Sequence, residues 1–76
     1  MTDRLPRVSA ADAVRALEKA GFFFARQSGS HRIYKNADGQ RVTVPYHSGK
    51  ELHPKILKNI LRDADLTAEE FLELMK

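Results

Sequence analysis

The sequence predicts an α+β fold, a two-layer sandwich in which helices from both ends of the chain lie on one face of a three-stranded antiparallel sheet. Three observations predict it. Apolar residues recur at helical spacing near both ends, short runs of strand formers separated by turn residues fill the middle, and 76 residues suffice for one hydrophobic core only. A single domain over residues 1–76 is expected, with one sheet face left to solvent or a partner.

The first helix is expected over residues 10–20. Ser9 stands three residues before Asp12, a hydroxyl and a carboxylate spaced to cap each other's backbone amides, and Ala10, Ala13, Val14, Leu17 and Ala20 follow at three-to-four spacing. Gly21 supplies a left-handed residue to end it. The aromatic run Phe22, Phe23 and Phe24 predicts a short first strand, either core or a platform for stacking bases, and Gln27-Ser28-Gly29-Ser30 reads as the turn after it. The second strand runs from His31 to Lys35 and Asn36-Ala37-Asp38-Gly39 closes a hairpin. The third strand runs from Gln40 to Val44, with Val42 and Val44 on one face and Pro45 ending the pairing. A loop of 36–39 pairs residue 35 with 40 and residue 31 with 44.

Pro54 suits the first turn of a second long helix over 54–64, whose apolar stripe is Ile56, Leu57, Ile60, Leu61 and Ala64. Thr67 and Glu70 repeat the capping spacing, Leu66 and Phe71 are placed as a hydrophobic staple, and Phe71, Leu72, Leu74 and Met75 are the expected buried side of a short third helix.

Hydrophobic residues make up 42% and charged residues 30%, so the chain carries enough apolar side chains to fold. The absence of cysteine excludes disulfides, thiolate zinc sites and a cysteine nucleophile, and no stretch approaches the roughly 20 apolar residues of a membrane span. The expected setting is the cytoplasm, with neither membrane nor cofactor. The net charge of +3 is unevenly spread: residues 26–62 carry eight bases against Asp38 and Glu51, whereas residues 63–76 carry five acids and Lys76. A basic middle suits a phosphate-facing surface, because each cation near a polyanion gains Coulomb energy and releases counterions; the plainer reading is a solvated basic face.

Three histidines, His31, His47 and His53, are the side chains able to exchange protons near neutral pH. His31 follows Ser28-Gly29-Ser30, a small polar turn that admits a phosphate, and opens a strand flanked by Arg26, Arg32 and Lys35. Such an imidazole can act as base toward a 2′-hydroxyl or as acid toward a leaving 5′-oxygen, with the cations stabilising the phosphorane; the plainer reading is a strand-end histidine with a satisfied side chain. His47 follows Val44-Pro45-Tyr46 and falls a few residues past the partner of His31, as a second proton-transfer group or a loop contact. His53, just before Pro54, reads as a helix-start residue. Three histidines without cysteine or His-x-x-x-His spacing are a weak metal signal, and no metal is expected.

Taken together, Lys19-Ala20-Gly21-Phe22, Gly29-Ser30-His31-Arg32-Ile33-Tyr34, Asp38-Gly39, Val42-Thr43-Val44-Pro45-Tyr46-His47 and Ile60-Leu61-Arg62-Asp63-Ala64 resemble the HicA family, toxins of HicAB toxin-antitoxin systems. The resemblance spans nearly the whole chain. It implies a double-stranded-RNA-binding-domain-like α-β-β-β-α fold with an extra C-terminal helix, a metal-independent endoribonuclease cleaving mRNA with His31 as the catalytic residue, and a HicB-like antitoxin that covers the His31 surface. RNA contacts are then expected from Arg26, Ser28, Gly29, Ser30, Arg32, Lys35 and His47. The chain departs from the family where many members have Gly-Thr-Leu at the start of the second long helix, reading Lys55-Ile56-Leu57 after His53-Pro54. Asp65 stands where members often have Gly, at a cost if that position takes a positive φ. The alternative function is a non-catalytic module that binds RNA or protein through the same basic surface.

Overall fold

Six elements follow in the order α1 (Ala10–Lys19), β1 (Phe23–Ser28), β2 (His31–Lys35), β3 (Arg41–Pro45), α2 (Pro54–Ala64) and α3 (Ala68–Leu74), in a computed structural model that describes residues 7–47 and 50–76. The fold is α+β, with one open antiparallel sheet in the order β1-β2-β3. Both expected capping boxes form. The Asp12 N–H donates to the Ser9 hydroxyl at 3.1 Å and the Ser9 N–H to the Asp12 carboxylate at 3.3 Å, and Thr67 and Glu70 repeat the exchange at 3.0 and 2.8 Å to start α3. At α2 the cap is His53, whose Nδ1 accepts the Lys55 N–H at 3.0 Å, with Pro54 in the first turn.

α1 and α2 end alike. Gly21 adopts φ +98° and the Phe22 N–H returns to the Leu17 carbonyl at 2.9 Å; Asp65 adopts φ +59° and the Leu66 N–H returns to the Leu61 carbonyl at 2.9 Å. Glycine takes this conformation freely, whereas aspartate pays a steric cost. Asp65→Gly is expected to stabilise the fold by up to about 1 kcal/mol, the relief of strain being partly offset by the greater freedom of glycine when unfolded. A thermal melt checks this: the midpoint should rise by a few degrees, and a fall would show that the Asp65 side chain contributes more than its backbone costs.

The helices cover one sheet face, lying chiefly over β3. There Leu17, Phe22, Tyr34, Val42, Val44 and Ile60 form one buried group, and Val8, Ala13, Ala16, Leu57, Leu61 and Phe71 form a second that fastens α3 to the longer helices. Leu72 does not belong to the buried side of α3, contrary to expectation. It lies about 100° around the helix from Phe71 and is 40% exposed, while Leu74 and Met75 are half-buried.

β1 is longer than the aromatic run suggests, because the turn is only two residues. Ser28 pairs directly with His31, and Gly29 takes φ +59° between them while Ser30 stays at negative φ, the sign pattern of a II′ hairpin turn. The strand is also bulged. Phe23 pairs with Lys35 and Phe24 with Tyr34, but Ile33 faces Arg26, so Ala25 is an extra residue that reverses the phase of everything after it. Of the three phenylalanines only Phe22 is core; Phe23 and Phe24 are 54% and 52% exposed on an edge strand that the helices scarcely reach.

The second hairpin corrects the expected register by one residue. The Asn36 N–H donates to the Gln40 carbonyl, the Gly39 N–H donates to the Asn36 carbonyl, and the Asn36 Oδ1 accepts the N–H groups of Asp38 and Gln40. Three residues therefore close the loop, Gly39 with φ +85° among them, and Lys35 pairs with Arg41 while His31 pairs with Pro45. A slip of one residue exchanges the two faces of a strand. In the expected register His31 would share the helix-covered face with Val42 and Val44; in the observed one Arg32 does, and His31 faces outward.

Candidate functional site

The uncovered face of the sheet is built from alternate residues of three strands. Directly paired residues, and residues two apart on one strand, share a face. His31, Ile33 and Lys35 of β2 therefore stand with Ser28, Arg26 and Phe23 of β1 and with Pro45, Thr43 and Arg41 of β3. Ile33 is 6% exposed at the centre, flanked by Arg26 and Thr43, and the charged and hydroxyl side chains around it are open to solvent.

None of the three strands contains an aspartate or glutamate. Arg26, Lys35 and Arg41 make no ion pair among the described residues, whose bridges join Arg7 to Glu51, Arg15 to Asp12 and Lys76 to Glu73. The result is a positive surface, not neutralised from within the sheet, with one imidazole at its edge. His31 has no carboxylate on its face to orient it and no side-chain hydrogen bond among the described residues, so both ring nitrogens are available to a bound molecule.

Backbone bonds fix the turn beside His31. The Tyr46 N–H donates to the Ser30 carbonyl at 2.7 Å, which carries the β2–β3 ladder one step past Pro45, a residue with no N–H of its own. Gln27 Nε2 donates to the Gly29 carbonyl at 2.9 Å. Gly29 is exposed, and a Cβ there would meet nothing within 4 Å, so its φ of +59° is the reason for glycine at this position and the space beside it stays open.

Of the residues expected at the site, His31, Arg26, Ser28 and Lys35 share the open face, with Gly29 and Ser30 in the turn beside it. Arg32 does not. It lies on the helix side, its guanidinium carbon 3.7 Å from the centre of the Tyr46 ring, with Nε buried and without a hydrogen-bond partner among the described residues. Adjacent residues of a strand face opposite ways, so His31 and Arg32 cannot both line one surface. His47 lies beyond the end of β3, exposed, in a cleft of about 150 Å³ lined also by Pro45, Lys50, Glu51, Leu52, His53 and Ile56. Sequence reasoning missed Arg41 and Thr43, although the apolar pair Val42 and Val44 implies that the residues between and before them face outward. Among the described residues no three of His, Asp and Glu are grouped so that they could hold a metal ion, and no helix is long and apolar enough to cross a membrane.

The chain is thus an α+β protein, α-β-β-β-α-α around one open antiparallel sheet, with a bare, basic sheet face and a histidine beside a hairpin turn. Comparison with protein families matches residues 10–66 to the HicA toxin of bacterial toxin-antitoxin systems. That span is well over half of the 76 residues, and the chain belongs to the HicA toxin family. A search of curated proteins finds no match.

Proposed function

We propose that the open sheet face is an RNA-cleaving surface, that the protein is a metal-independent endoribonuclease acting on mRNA to block translation, and that His31 is its catalytic acid or base. The observation that carries this reading is the acid-free face on which His31 stands with Arg26, Lys35 and Arg41. A strand laid across it meets cations for its phosphates and the exposed ring of Phe23 for a base, the combination used to hold single strands.

The step needs no cofactor. The 2′-oxygen bonds to the adjacent phosphorus as the P–O5′ bond breaks, giving a cyclic phosphate and a free 5′-hydroxyl. The proton leaves the 2′-hydroxyl and a proton is delivered to the 5′-oxygen, one of these transfers being made by His31. Cations on the face stabilise the extra negative charge of the phosphorane. A HicB-like antitoxin would neutralise the toxin by covering this face, and an acidic contact surface would make that competition weaken with salt.

The test is cleavage of a long unstructured RNA by purified protein in EDTA. Cutting that disappears with His31→Ala supports the enzyme; binding without cutting by the wild type returns the protein to a non-catalytic module. Salt dependence separates the arginines. Each phosphate contact on a single strand contributes about 0.7 to the slope of log K against log salt, so Arg26→Ala should reduce that slope by roughly that amount. Arg32→Leu should leave it unchanged, because Arg32 stacks on Tyr46 behind the sheet. A reduced slope in Arg32→Leu would reinstate it as a phosphate contact.

A further inference from the structure

The cleft between the end of β3 and the start of α2 is not absorbed by the chemistry at His31. Its floor is apolar, from Pro45, Leu52 and Ile56, and its rim carries Lys50, His47 and His53. Pro45 is the direct strand partner of His31, so the cleft begins one strand's width from that histidine. A volume of about 150 Å³ is well below the 300–1,000 Å³ of sites for drug-sized ligands and suits a single base or sugar-phosphate unit.

We propose that this cleft is a nucleotide subsite for the residue of the RNA strand next to the cleavage point. The proposal rests on the reading of the His31 face as the RNA-cleaving surface. His53 is set up as a donor: its Nδ1 accepts the Lys55 N–H at 3.0 Å, which places the ring proton on Nε2 in the neutral imidazole. Lys50 supplies a second donor and a positive charge. The one carboxylate on the rim, Glu51, is paired with Arg7 at 3.6 Å, which offsets the repulsion it would exert on a phosphate. Donors over an apolar floor match a sugar-phosphate resting against a base, and the floor excludes a fully hydrated ion as the better occupant.

Tetrathymidylate DNA is the probe, since it lacks the 2′-hydroxyl and cannot be cut. NMR titration of the full chain should move the His53 ring signals and the Lys50 and Leu52 amides. Lys50→Ala combined with His53→Asn should weaken binding by about tenfold, the loss expected for charge-assisted hydrogen bonds to phosphate. Asparagine at position 53 keeps a capping acceptor for α2 and removes the Nε2 donor, and circular dichroism confirms that the variant is folded. Signals that move only on the open sheet face, or unchanged affinity in the folded variant, overturn the subsite and leave the nuclease reading standing. Movement at the cleft in a wild type that does not cut RNA keeps a nucleotide site there and overturns the nuclease reading instead.

Discussion

Replacing His31 with alanine should lower the rate of RNA cleavage by about 10²- to 10⁴-fold, the usual contribution of a positioned general acid or base. The fold should not notice. His31 is exposed, sits in β2 through backbone pairing to Ser28 and Pro45, and makes no side-chain hydrogen bond among the described residues, so the change in stability should stay within about 0.5 kcal/mol. RNA affinity should fall little, because on the proposed reading Arg26, Lys35 and Arg41 of the same face meet the phosphates. Single-turnover cleavage beside a binding isotherm separates the two effects. A loss confined to affinity, with an unchanged rate at saturation, would make His31 a contact rather than the proton-transfer group.

Phe71→Ala should be the most damaging single change to the fold. Phe71 is fully buried among Val8, Ala13, Ala16, Leu57 and Leu61, where it fastens α3 against α1 and α2. Removing a buried phenylalanine ring costs about 3–5 kcal/mol, from a total that for this length is about 4–11 kcal/mol at usual per-residue stabilities. At about 4–8 °C per kcal/mol, the melting midpoint should fall by at least about 12 °C. Leu72→Ala, one residue along on the exposed side, should cost less than about 1 kcal/mol. Equal losses in the two melts would mean that α3 is held by its own helical propensity and not by the Phe71 anchor.

The helices were legible because their signals are local. Ser9 with Asp12, Thr67 with Glu70, and Pro54 ahead of an apolar stripe each fix a boundary within one turn, and the cost foreseen at Asp65 appears as its φ of +59°. The sheet was legible in its strand count and not in its phase. Ala25-Arg26-Gln27-Ser28 lacks the β-branched alternation that marks a strand, and it pairs because β2 offers a partner edge. The register of β2 and β3 turned on the side chain of Asn36, which draws Gln40 into the loop closure, a contact that composition does not announce. His31 was singled out as a strand-opening residue beside a small turn; Arg32 was grouped with it by adjacency in the sequence, which strand alternation forbids, and Arg41 was left out because only the observed β2–β3 register brings it to the same face.

The bulge at Ala25 makes the outer surface of β1 a matter of counting rather than of chemistry. Upstream of it odd-numbered Phe23 looks outward; downstream, even-numbered Arg26 and Ser28 do. Were Ala25 instead to pair as an ordinary strand residue, Arg26 and Ser28 would turn toward the helices and Gln27 would come out, with every side chain that could touch a phosphate still written in the chain; losing the alanine altogether would close the bulge and leave them on the partners they have. For this strand the address of each side chain is set by whether Ala25 stays out of the ladder, and the same letters without the bulge would present a different surface.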